Sequence, residues 1–486
     1  MKKKLLMTAM VAALGGVGTA QAVHVNSDGL GQVLIYPYYT VQNGFDSYIN
    51  LVNTTDEVKA VKVRFLEGKN SQEVLDFNLY LSPNDEWSGK VTTSASGGAK
   101  LESSDTSCIA PSQIKAGGED FRNLQYQADS IKTVARTREG YVEVIEMGVV
   151  TDTDSIAAAT HVGGSATVIA APANCGLIRT NAKSTTGLFN GAKASNGISA
   201  PTGGLYGFVT LINVNSGLKT TVDAIAIDNF FVDQVVAGNP LGLDLHFAPG
   251  TTSPSLEDVN TDGEIIDGAS IITFSSANPV DSLSAILTRS NVYNDYSIDA
   301  GRDSKTDWVL TFPTKRFYVN TSTPAPFTET WKTATSTSCD PIQIVYYDRE
   351  ERRHNVTIDE DFSPKPDVVA ATNSLCNEVN TLSIKRFGTA AGTSTLFGAE
   401  YTNASFTVDD AGFVAGWMNV SFANTLAGDV SIGGQTPVPG TLIGLPVVGF
   451  SALSNSNGTL VVGGVNVLSN YLGSSAHKGV RALTTP

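Results

Sequence analysis

Tyr48-Ile-Asn-Leu-Val-Asn-Thr-Thr-Asp-Glu-Val-Lys-Ala-Val-Lys-Val-Arg-Phe65 is the stretch on which the fold class turns. Its apolar residues alternate, stop at an Asn/Thr/Asp turn, and alternate again at Val58, Ala60 or Val61, Val63 and Phe65. Successive side chains of a strand point to opposite faces, so the stretch predicts two strands around a turn, each with one buried and one wet face. The segment Gly207–Gly217, followed by Val222–Phe231, has the same layout, although too few letters match for an internal repeat.

Further strands are predicted at Gly31–Tyr39, Val74–Leu81, Tyr141–Val150, Ile271–Phe274, Trp308–Phe312, Ile342–Tyr347, Leu382–Phe387 and Phe413–Phe422, with one short helix at Val280–Asn291. Charged residues are only 16% of the chain, and Gly, Ser, Thr and Asn fill the polar places, a composition suited to short strands and turns. The expected fold is mainly β, with antiparallel sandwich-type sheets, long Ser/Thr/Gly-rich loops and little helix. The stretches 92–118, 183–204 and 321–338 read as loops. With the second and third as boundaries, residues 23–190 form an N-terminal β domain, 200–325 a middle β region, and 335–486 a C-terminal β region with an apolar tail.

Residues 1–22 read as a cleavable signal peptide. Lys2, Lys3 and Lys4 precede an apolar run from Leu5 to Val17, and Ala20-Gln21-Ala22 has the small-x-small form that places cleavage before Val23. The run is shorter than the roughly 20 residues that span a bilayer. Loss of the three lysines leaves 47 acidic residues against 29 of the original 32 basic ones. That balance disfavours nucleic acid and anionic lipid surfaces as partners. In an exported chain the four cysteines predict disulfides. Three connectivities are open, and chain order favours Cys108 with Cys175 and Cys339 with Cys376.

The sharpest local motif is Asp258-Val-Asn-Thr-Asp-Gly-Glu-Ile-Ile-Asp-Gly-Ala269, which resembles the calcium loop of EF-hands and dockerin modules. Asp258, Asn260 and Asp262 fall at positions 1, 3 and 5, Gly263 at the turn and Ile265 at the apolar position 8. Ala269 replaces the closing acid, so Glu264 and Asp267 complete the candidate Ca²⁺ ligand set. The competing reading is a solvated Asx-rich turn.

No H-E-x-x-H, nucleophile elbow, Walker loop or dinucleotide fingerprint occurs, and the five histidines are scattered, so no catalytic residue is assigned. Tyr36, Tyr38, Trp87, Trp308, Trp331 and Trp417 could stack on sugars if exposed, against a competing role in core packing. Near the C-terminus, Thr441–Phe450 and Thr459–Leu468 flank a polar stretch at Ser454–Gly458 and predict an apolar hairpin that needs covering on both faces.

Gly31-Gln-Val-Leu-Ile-Tyr-Pro-Tyr-Tyr-Thr40 and Thr306-Asp-Trp-Val-Leu-Thr-Phe-Pro-Thr-Lys-Arg-Phe317 resemble segments of uncharacterised secreted or cell-surface proteins of Gram-negative bacteria. The resemblance implies export, to the periplasm, the cell surface or the exterior, and brings no site residues with it. The function expected from the whole reading is a non-enzymatic structural or adhesion protein that acts by packing or self-association, with itself or other envelope components as partner. The alternative is a secreted polysaccharide-binding module or glycoside hydrolase, with aromatic residues as platform and paired acids as catalysts.

Overall fold

In the computed structural model, which describes residues 22–485 apart from 166, 184–185, 190–195, 232–245, 268–269, 354–372, 390–394 and 409–410, Asp46–Asn53 is a strand. Ser47, Ile49, Leu51 and Asn53 are buried and the residues between them are half-buried or exposed, as their alternation predicts. The neighbouring strand Val58–Glu67 departs from that pattern, because all 10 of its residues are buried. Val61, Val63 and Phe65 enter one apolar core with Ile49, Leu51, Trp87, Val209 and Leu211. The opposite face, expected to be wet, is covered by chain from far along the sequence. Lys62 Nζ donates to the Asp76 carboxylate at 2.9 Å and to the Thr251 carbonyl at 3.0 Å. Arg64 bonds Glu73 at 2.8 Å and Glu143 at 3.0 Å, and Arg316 closes on Glu143 from the other side at 3.1 Å. Buried charges must be paired to persist.

Among the described residues the protein is mainly β, with 49% strand and 10% helix. Glu139–Val150, buried along its whole length, lies at the centre of an eight-stranded sheet between Val33–Thr40 and Val58–Glu67. Glu73–Leu81 and Cys108–Ala110 extend this sheet on one side, and Ile225–Asp228 and His24–Val25 on the other. A six-stranded sheet, which also holds Glu86–Thr93, sets Asp46–Asn53 beside Leu205–Asn213, with Leu218–Asp223 at its edge. Strands of residues 205–228 thus complete sheets begun by residues 24–150.

Beyond residue 228 the described residues form three five-stranded sheets and one two-stranded pair, Thr288–Arg289 with Leu445–Pro446. In one, Asp262–Asp267 and Ser270–Ser275 join Thr425–Ile432 and Val438–Ile443. The second places Ala415–Ser421 between Asp340–Asp348 and Asn291–Ser297. The third runs from Asn403–Thr407 through Val379–Lys385 and Lys305–Thr311 to Val448–Val462 and Val465–Ala476. Among the described residues, strand pairing within these sheets is antiparallel except between Val379–Lys385 and Asn403–Thr407. A second core, with Trp308, Leu310, Tyr346, Leu382, Met418 and Val420, fills the space between the second and third of these sheets.

The predicted helix is present as Pro279–Leu287, with Pro279 in its first turn, where a missing N–H costs nothing. The expected loop 92–118 is partly strand, at Ala99–Glu102 and Cys108–Ala110. Among the described residues no helix is long and apolar enough to cross a membrane. The expected signal peptide lies, but for Ala22, outside the described residues.

Candidate functional site

The C-terminal strands form a hairpin, but with a different turn from the one expected. Val448–Val462 pairs with Val465–Ala476 from Phe450 opposite Ala476 to Val462 opposite Val465, so Gly463-Gly464 makes the two-residue turn. Both glycines have positive φ, 59° and 81°, the backbone that matches the twist of paired strands. The polar stretch Ser454–Gly458 stays within the strand, where the register shifts between Ser456 and Thr459 and Gly458 has φ 79°. A lone positive-φ glycine there serves a bulge, not a reversal. Thr441 to Ile443 belongs to a different sheet.

Two parts of this hairpin have opposite surroundings. Up to Ser454 it pairs with Lys305–Thr311, and Phe450 and Ala452 are fully buried. Beyond Ser454 that pairing ends, and the hairpin continues as a two-stranded arm of about 26 Å at ~3.3 Å per residue. Directly opposed residues share a face. One face therefore carries Val462, Val465, Val467 and Tyr471, and the other carries Val461 and Leu468, all exposed, with Val465 at 64%. Neither strand contains a charged residue or a proline. On the face that carries Leu468, the base of the arm meets residues 216–221: Asn470 donates to the Ser216 carbonyl at 2.8 Å and Ser474 to the Thr221 carbonyl at 2.9 Å. Among the described residues no strand pairs with the edge of Val465–Ala476.

The candidate calcium residues are divided between two local structures. Asp258 and Asn260 lie in a turn. The Asp258 carboxylate accepts from the Ser255 N–H at 2.8 Å, and the Asn260 side-chain oxygen accepts from the Asp262 N–H at 3.1 Å. Burial raises the Asp258 carboxyl above its ordinary range. From Asp262 to Asp267 the chain is a strand paired with Ser270–Ser275, with Ile265 buried and Asp262 and Glu264 two apart on one face. Gly263 serves close packing, since a Cβ there would lie 2.8 Å from the Ser282 carbonyl of the helix. Ala269 and the side chain of Asp267 are outside the described residues.

Both disulfides follow the pairing favoured by chain order. Cys108–Cys175 ties a strand of the eight-stranded sheet to the helix Cys175–Asn181. Cys339–Cys376 joins the ends of the adjacent strands Asp340–Asp348 and Asn373–Leu375.

Of the six aromatic candidates, Tyr36, Tyr38, Trp87 and Trp308 are fully buried. Trp331 is half-buried and its Nε1–H donates to Asp129 at 2.9 Å. Trp417 alone of the six is exposed, at 43%.

Several acids of the kind that catalysis uses are occupied. Glu73 and Asp76 border a cleft of ≈ 500 Å³, but each is bonded to a cation, Arg64 or Lys62. Glu139 accepts the backbone N–H groups of Glu400 and Thr402, each at 3.1 Å, and Glu146 those of Thr202 and Gly203 at 3.1 and 2.8 Å. These carboxylates pin distant loops onto the central strand. Two other buried groups are displaced far from their ordinary pKa. Burial pushes the Glu378 carboxyl up to about 8, with neighbouring Lys315, Arg316 and Ser71 pulling against it. Burial takes His246 down to about 4, and its Nε2 lies 2.8 Å from the Tyr80 hydroxyl.

A scan against protein-family models, a search of curated proteins and a search of solved structures each gave no match.

Proposed function

We propose that this chain is an exported, non-enzymatic structural or adhesion protein of the cell surface or exterior, which associates with further copies of itself through the C-terminal arm. The observation that carries this reading is the arm: a two-stranded ribbon, free of charge, apolar on both faces and ending in an unpaired edge. Natural edge strands are guarded by lysine, proline or bulges because their open N–H and C=O groups recruit another strand. The stretch 465–469 has none of these guards. A chain of formal charge −15 repels its own copies over most of its surface, so the uncharged arm is where two copies approach at least cost. Antiparallel pairing of the two edges about a two-fold axis would join the open N–H and C=O groups and set Val465, Val467 and Tyr471 of the two copies side by side on one face.

Export is supported by two disulfides, which persist in oxidising compartments.

Light scattering on the chain purified from its producing cell tests the association. The expected result is a mass that rises with concentration to a dimer or larger, and a monomer for Val465→Lys/Val467→Lys. A wild-type chain that stays monomeric at high micromolar concentration, or a double variant that associates as well as wild type, overturns the reading.

A further inference from the structure

Trp417 sits where strand alternation would put a polar residue. In Ala415–Ser421, Met418 and Val420 point into the second core, and Trp417, Asn419 and Ser421 form the opposite, open face. The strands on either side continue that face in register. Asp295 and Tyr347 flank Trp417, Tyr293 and Val345 flank Asn419, and Asn291 and Gln343 flank Ser421. The face therefore holds three aromatic rings within a field of Asn, Gln, Ser and Asp side chains.

The rings are organised. Tyr347 and Trp417 stack with centroids 4.3 Å apart and planes 8° from parallel, and Tyr293 lies 6.2 Å from Trp417 on the other side, tilted by 44°. Holding a tryptophan in one orientation on an exposed surface removes the rotamer cost that a binding partner would otherwise have to meet. Beside the stacked pair is a hollow of ≈ 440 Å³, walled by Trp417, Tyr347, Gly416 and the turn carrying Asp348, Arg349 and Glu351. Asp348 is committed to Arg352. Arg349 and Glu351 are exposed at the rim, one a donor and the other an acceptor.

We propose that this face binds a polysaccharide, with pyranose rings lying against Trp417 and Tyr347. A pyranose presents an apolar face of C–H groups and a rim of hydroxyls that both donate and accept. The face matches each part: aromatic rings for the C–H groups, and Arg349, Glu351, Asp295, Asn419 and Gln343 for the hydroxyls. A purely apolar occupant would strip water from Arg349, Glu351, Asp295 and Gln343 without replacing its hydrogen bonds, whereas Asn419 already accepts from Asn291 at 3.1 Å. A second copy of this acidic chain would bring further carboxylates against Asp295 and Glu351. Neutral glycan avoids both costs. The proposal goes beyond association through the arm and rests on different residues.

The full mature chain is mixed with suspended chitin and cellulose and pelleted, then titrated with chitohexaose and cellohexaose while tryptophan emission is recorded. Trp87 and Trp308 are buried, so a glycan seated on this face changes the Trp417 signal. At least one glycan is expected to bind. Trp417→Ala should weaken binding tenfold or more with its melting temperature near wild type, Trp417→Phe should retain part of the affinity, and Val465→Lys/Val467→Lys should bind as wild type does. Failure of all four glycans overturns the proposal. So does binding that survives Trp417→Ala and Tyr347→Ala, or selective binding of a proline-rich peptide in their place.

Discussion

The paired strands Val58–Glu67 and Glu139–Val150 and the arm beyond Ser454 are inversions of each other. The first pair lies at the centre of its sheet and carries Lys59, Lys62, Arg64, Glu67, Glu139, Glu143 and Glu146, all buried. The second is a two-stranded ribbon with no charge at all, whose valines face water. Charge inside and hydrocarbon outside reverses the ordinary distribution. In the centre the reversal is sustained by partners, because each of these charges is answered by an ion pair or by backbone N–H groups from another part of the chain. At the arm the described residues supply side-chain contacts near its base but no strand for the edge of Val465–Ala476, and the proposed one is a second copy.

The difference also explains what could be read from the letters. Alternation located the central strands but missed others, among them Glu86–Thr93, Asn291–Ser297 and Thr425–Ile432, and chain order favoured the cysteine pairing that forms among three open ones. It could not tell a wet face from a covered one. Lys62 and Arg64 look like solvent residues until Thr251 and Arg316, 189 and 252 positions further on, close over them. Long-range cover of this kind leaves no local mark. The Gly463-Gly464 turn was legible, since paired glycines between apolar runs signal a two-residue hairpin, yet the more polar Ser454–Gly458 drew the prediction away. The exposed aromatic face was legible too: Trp417 keeps company with Asn419 and Ser421 in period two, whereas Trp308 alternates with Leu310 on a buried strand.

The largest expected effect comes from breaking the centre. Glu143→Ala leaves Arg64 and Arg316 facing each other without their shared carboxylate, and the loss should be about 3–5 kcal/mol of unfolding free energy by denaturant titration. On the same measurement Val465→Lys/Val467→Lys should change stability by no more than ~0.5 kcal/mol, as exposed substitutions do. A centre variant as stable as the arm variant would show that the buried layer is not held by its pairs.

Acidity probes the same contrast with a smaller, reversible perturbation. His246 is neutral in the fold down to about pH 4, while in the unfolded chain it takes a proton near its ordinary 6.5. Protons then favour the unfolded state, and stability should fall as pH drops from 6.5 to 4, by the order of 3 kcal/mol. Burial lowers His477 to about 4 as well, so His246→Phe should roughly halve the slope of this part of the profile and not remove it. Glu378 works in the opposite sense. It holds its proton up to about pH 8 in the fold but loses it near 4.5 when unfolded, so it costs stability as pH rises through that window. Glu378→Gln should match wild type at pH 4.5 and exceed it at pH 8. A constant difference across the range would mean that the carboxyl is not carrying a proton in the fold.

The smallest effect tests acids that belong to neither extreme. Asp258 is half-buried in the turn Ser255–Asn260, and chain just before that turn lids the charged face at Lys62. We propose calcium there as a weak ligand, because the side chains of Asp258 and Asn260 already accept from Ser255 and Asp262 and must exchange those bonds for the ion. Binding to the folded state alone raises stability by mass action. At 10 mM calcium the gain should be about 1 kcal/mol, a rise of roughly one to two degrees in Tm for a chain of this size. Asp258→Asn should abolish the rise, and magnesium, which demands a tighter octahedron, should not reproduce it. If the melting curve does not move, these residues form an Asx turn whose task is to hold the lid, and their carboxylates join the buried ones in binding chain, not metal.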